Sequence, residues 1–199
     1  MGALIGVAMG SKRDPTGLAV VEDKWRKDDA RNPVDHYLVR HLERLPPGTP
    51  YPAVARRVGE MVATLRERGE SWPDVFVDAT GLGEPVVELI DRAVRRCRLR
   101  AVYFTHGDRR SEEGEQITLG KAYLVTRLQA LLQADQLHLP RSPEAECLAK
   151  DLLEYEIQLA PDANERYGAF RVGRHDDLIT ALGLAVHKRQ FRPVYPRPS

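Results

Sequence analysis

The chain has 199 residues, 42% hydrophobic and 30% charged, with 30 Lys+Arg against 29 Asp+Glu and a formal net charge of +1. That length predicts one domain, and that composition excludes wholesale disorder. No apolar run reaches the roughly 18–20 residues of a membrane-spanning helix. The two cysteines, Cys97 and Cys147, supply neither a disulfide framework nor a cysteine zinc site, so a reducing cytoplasm is the expected compartment.

Residues 3–9 (ALIGVAM) are an apolar run, read as a short buried strand rather than a leader peptide. A turn-like stretch, 11–15, leads to a second β-like run at 17–23 (GLAVVED). Residues 34–45 alternate imperfectly and predict a third strand, with His36, Leu38 and Arg40 on one face and Tyr37, Val39 and His41 on the other. Three strands joined by short loops imply an antiparallel meander. After a rigid connector (PPGTPYP, 46–52), apolar residues at Val54, Val58, Met61, Val62 and Leu65 have helical spacing.

The pattern then changes. Residues 74–78 (DVFVD) predict a buried strand, 84–96 a helix with Pro85 in its first turn, and 99–105 another strand. Strand, helix and strand in this order make a parallel βαβ unit. Residues 106–116 are polar and Gly-containing and are expected to form a mobile loop. Helices are predicted over 121–134 and 143–155, a hairpin from 155–159 and 169–172, and a last apolar helix over 176–188. The tail, 191–199, has three prolines and is set apart from a single domain spanning 1–190. The expected architecture is α/β: a mixed sheet, antiparallel strands first and parallel strands after, flanked by helices.

Acids fall at strand ends and helix starts. Asp78 closes DVFVD before the Gly-rich ATGLG; Asp176 and Asp177 open the last helix after His175; Asp14 lies in the first turn. Sites in parallel sheets form at the carboxyl ends of strands, and converging carboxylates need a cation to neutralise them. Each acid also has a bland alternative: helix-start residues favoured by the macrodipole, a turn signal, or a cap. Arg outnumbers Lys by 24 to 6, and 92–110 carries seven Arg against one acid, Asp108, a stretch able to dock a polyanion or simply to be a solvated face. No GxxxxGK[ST] is present, Gly81-Leu82-Gly83 is too short for a dinucleotide fingerprint, and neither Cys97 nor Ser11 has a nucleophile context.

Residues 5–21 (IGVAMGSKRDPTGLAVV), 75–83 (VFVDATGLG), 119–139 (LGKAYLVTRLQALLQADQLHL) and 175–185 (HDDLITALGLA) together resemble the RNase H-like nuclease domain of the large terminase subunit of tailed phages. The resemblance implies a DNA endonuclease that cuts concatemeric double-stranded DNA during packaging through a two-metal Mg²⁺ or Mn²⁺ site. By position it implies Asp78 as the central-strand acid and Asp177 as the final-helix acid, with Asp176 and Asp14 as further ligands and His175 positioning a water or phosphate. It implies DNA contacts from Arg109, Arg110, Arg100 and Lys121, and partners such as a packaging ATPase domain, a portal or a small terminase subunit, in the host cytoplasm. One departure stands out: the family places an acid in the first strand, and Ala8 occupies that position. Impaired hydrolysis is therefore expected. The alternatives are a catalytically inactive DNA- or motor-binding module and a resolvase- or transposase-type nuclease of the same fold.

Overall fold

The computed structural model describes residues 2–82, 84–105, 109–114, 116–153, 157–159, 165–167 and 176–187. His175, the tail 191–199 and the expected strand at 169–172 lie outside them. Strands β1 (Gly2–Ala8), β2 (Thr16–Lys27) and β3 (Pro33–Leu45) form the predicted antiparallel meander. Helix α1 (Tyr51–Glu67) crosses to β4 (Asp74–Asp78), which pairs parallel to β1; α2 (Glu84–Ala93) then leads to β5 (Arg98–Thr105), parallel to β4.

The next segment departs from the sequence reading. Much of the expected loop is a β-hairpin of β6 (Arg110–Glu113) and β7 (Gln116–Gly120), with β7 parallel to β5. Only Ile117 and Leu119 of β7 face the core, and β6 (RSEE) is an edge strand held by its backbone ladder, so neither carries much apolar periodicity. Helix α3 (Lys121–Gln133), the two-residue β8 (Leu137–His138) and α4 (Pro143–Leu153) follow. A short pair, β9 (Ile157–Leu159) and β10 (Glu165–Tyr167), precedes the last helix, α5 (Asp177–Val186). β9 lies within the strand expected at 155–159 and pairs antiparallel with β10.

The main sheet has the order β6-β7-β5-β4-β1-β2-β3-β8, a mixed sheet of the expected kind. Chain direction of growth reverses between β1 and β4, the type of switch point at which α/β sheets open a crevice. On one face α1 and α2 cover Ile5, Val7, Leu18, Val20, Val75 and Val77. On the other, α3, α4 and α5 cover Leu4, Ala8, Ala19, Val21, Tyr37 and Phe76. Helix α5 is buried along its whole length, which matches its all-round apolar sequence. It lies close to the sheet because Gly6 and Gly17 face it without side chains. A Cβ on Gly6 would collide with the Ala181 carbonyl, and one on Gly17 with the backbone of Asp177.

A β-bulge separates Val20 from Val21: Val21 pairs with Val39 but Val20 pairs with His41, leaving Arg40 extra. His41 therefore shares the α1 face with Arg40, not the face of Tyr37 and Val39 as strict alternation predicts. Beyond the bulge, Leu42 and Arg44 face α5 while Glu43 reaches Arg57 of α1 at 2.8 Å. Among the described residues no helix is long and apolar enough to cross a membrane.

Candidate functional site

Asp78 ends β4, whose alternation sends Val75 and Val77 to the α1 face and Phe76 and Asp78 to the α5 face. The parallel register sets Val7 beside Val77, so the next residue, Ala8, lies beside Asp78 on the same side. Ala8 is buried in the apolar cluster under α5. The position where the resemblance expects an acid is thus adjacent to Asp78 and holds a methyl group.

The backbone N–H of Thr80 donates to Asp78 Oδ1 at 2.9 Å. The Thr80 hydroxyl in turn accepts from the N–H of Phe104 at 2.8 Å, tying the Gly-rich turn to β5. Burial pushes the Asp78 carboxyl above its ordinary value; the bonds from Thr80 and the charge of Lys121 pull it back, and the charge of Asp176 pushes it further up. Asp78, Asp176 and Lys121 therefore form one electrostatic group. Lys121 Nζ lies 3.2 Å from Asp176 Oδ2 and 5.6 Å from the centroid of the Phe104 ring.

The two neighbouring acids of the last helix part company. Asp176 is half-buried at the mouth of the site, beside Lys121. Asp177 is 6% exposed and faces the other way, accepting from Arg44 Nε at 2.8 Å. The same guanidinium donates to Asp151 at 2.9 Å and to Cys147 Sγ at 3.0 Å. Burial alone would make Arg44 less basic, but the bonds and charges of Asp177 and Asp151 outweigh it and raise its pKa. A cleft of about 520 Å³ lies beyond this ion pair, lined by Arg40, His41, Arg44, Cys147 and Leu178, and includes neither Asp78 nor Asp176.

The remaining expected residues are dispersed. Asp14 is exposed and accepts from the Ser11 hydroxyl at 2.7 Å, the bond of a tight turn. Arg109 is exposed. Arg110 is turned inward, its side chain 20% exposed and 2.6 Å from Glu112, and Arg100 reaches the same carboxylate at 3.2 Å. Lys121, expected at the DNA, lines the acidic site instead. Sequence reasoning did not find Arg44, Thr80 or this placement of Lys121; β7 carries Lys121 to the carboxyl end of the sheet, and β7 was not foreseen.

A two-ion centre does not fit these residues as folded. Among the described residues no three His, Cys, Asp or Glu side chains are grouped to hold a metal ion. Asp78 and Asp176 remain, already balanced in part by an ammonium, while Ala8 offers no oxygen.

No protein-family model matches the sequence, and no curated protein does. Solved structures do. The large terminase nuclease of thermophilic phage G20c, with bound cobalt, aligns with a TM-score of 0.63 and 19% identity over 92% of this chain and 79% of that one. The human cytomegalovirus terminase nuclease domain, soaked with manganese, gives 0.57 and 15% over 91% and 80%. The large terminase of bacteriophage HK97 gives 0.61 and 10%, covering 94% of this chain but 39% of that one. The chain therefore has the RNase H-like fold shared by the nuclease domains of large terminase subunits.

Proposed function

We propose that the chain is a DNA endonuclease domain of the terminase kind, acting on concatemeric double-stranded DNA during genome packaging, with its hydrolytic site impaired at Ala8. The observation that carries this reading is the register of β1 and β4. It sets Ala8 next to Asp78 at the switch point of the sheet, with the start of α5 and Asp176 above them. Mg²⁺ or Mn²⁺ ions held by carboxylates at this sheet end would activate a water and stabilise the leaving oxygen. An aspartate at position 8 would complete that set with Asp78 and Asp176, while Asp177 holds the helix start to Arg44. The exposed Arg109 on the β6–β7 edge would meet phosphates, a contact that positions DNA without reading its sequence. A packaging ATPase, portal or small terminase subunit would be its partners in the host cytoplasm.

Ala8 favours a second reading, a non-catalytic module that binds DNA or the packaging motor. Plasmid nicking in Mg²⁺ and Mn²⁺ separates the two. The chain as it stands should be inert, Ala8→Asp should cut, and adding Asp78→Asn or Asp176→Asn to Ala8→Asp should abolish cutting. If Ala8→Asp is folded and binds DNA but leaves plasmid intact, the hydrolytic reading falls and the binding module stands.

A further inference from the structure

We propose that the ammonium of Lys121 is the resident cation of this site, supplying to Asp78 and Asp176 the positive charge that divalent ions bring to a two-metal centre. The inference rests on the reading of Asp78 and Asp176 as the vestige of a hydrolytic site, and on four features of the chain.

The first is contact. Lys121 Nζ is 3.2 Å from Asp176 Oδ2, and its charge favours the ionised form of Asp78. The second is how firmly the ammonium is delivered. β7 ends at Gly120 paired with Thr105 of β5, so Lys121 is the first residue of α3, fixed at the same sheet end as Asp78. The third is the support beneath it. Phe104 lies under the ammonium, its N–H bonds to Thr80, and the N–H of Thr80 bonds to Asp78, a continuous path from cation to carboxylate. The fourth is the charge of the site. Among the described residues, two carboxylates and one ammonium leave a single net negative charge, because Ala8 contributes none and Asp177 faces Arg44.

A lysine in this place has two consequences. The site folds with its carboxylates compensated in part and needs no metal for that. An incoming divalent ion meets an ammonium already bound to one of its two ligands, so it must displace that group or share the carboxylate with it. Lys121 thereby sets metal affinity, and loss of the first-strand acid and presence of this lysine act in the same direction.

The test is titration of the full chain with Mn²⁺, free ion read by its EPR signal, alongside thermal unfolding with and without Mn²⁺. Lys121→Gln should bind Mn²⁺ at least ten-fold more tightly than the unmodified chain. Its melting temperature should fall in EDTA and recover with Mn²⁺. Lys121→Arg, which keeps the charge, should behave like the unmodified chain, and Asp176→Asn added to Lys121→Gln should remove the gain. If Lys121→Gln binds Mn²⁺ within two-fold of the unmodified chain while Ala8→Asp binds it tightly, the lysine proposal is overturned and the site reading survives. If Ala8→Asp combined with Lys121→Gln also fails to bind, both fall.

Discussion

His187, directly after α5, makes the clearest quantitative prediction. Its ring is fully buried, packs edge-on against Phe76 at 4.6 Å, and bonds through Nδ1 to the Leu184 carbonyl at 2.7 Å. Burial drives the imidazole pKa from its ordinary 6.5 down to about 4; the Leu184 bond and Glu112 oppose this, while Arg110 and Arg127 reinforce it. The unfolded chain therefore takes up a proton before the folded one does. The stability that the neutral ring contributes is complete above pH 6.5 and is lost as pH falls to about 4. That gap corresponds to about 3 kcal/mol. Urea unfolding of the unmodified chain and of His187→Leu, at several values between pH 7 and 4, isolates it because the other titrating groups are common to both. The stability difference between them should shift by about 3 kcal/mol across that interval, with the unmodified chain losing more. A constant difference at every pH would refute the reasoning.

Two further substitutions probe the packing that holds the site. Gly6→Ala drives a methyl group into the backbone of α5, within 2.9 Å of the Ala185 nitrogen, where no side chain can yield. It should cost about 3 kcal/mol in urea unfolding, at the upper end for overpacking, and a loss under about 1 kcal/mol would mean that α5 rides less closely on β1. Arg44→Met takes the guanidinium away from the largely buried Asp177 carboxylate and should cost about 3 kcal/mol, with Asp177→Asn in the same chain recovering part of it. A neutral Arg44→Met in thermal unfolding would show that the ion pair does not anchor the helix start.

The sheet was largely legible because its inner strands are continuous apolar runs bounded by turn residues. DVFVD was placed at its true ends, helical spacing of apolar residues marked α1 and α3, and a continuous apolar run marked α5. The elements that escaped are those whose stability comes from neighbours. β6 has four polar residues on an edge, and β8 has two residues paired with Tyr37 and Leu38. At the candidate site, Asp78 stood out in the sequence because a carboxylate closing a buried strand is anomalous. The different partners of Asp176 and Asp177 did not, since adjacent acids differ only in the direction each faces, and that direction goes with Arg44 of β3 and Lys121 of α3, both distant in sequence. Arg44 itself was hidden by the bulge, which breaks the period-two rule from which its facing would be read.

That bulge works as a parity switch for the second half of β3. Counting from Tyr37, strict alternation would send Arg44 to the α1 side and Glu43 to the α5 side. The extra residue at Arg40 exchanges them: Glu43 meets Arg57, and Arg44 meets Asp177. Ironing the bulge flat, with Arg40 kept in unbroken alternation, would leave every strand and helix in place in the sequence. It would nonetheless present a glutamate to Asp177 and an arginine to Arg57, setting like charge against like on both faces of the sheet. A single residue held out of the regular pairing therefore secures an electrostatic match between two layers that no composition or hydropathy pattern records.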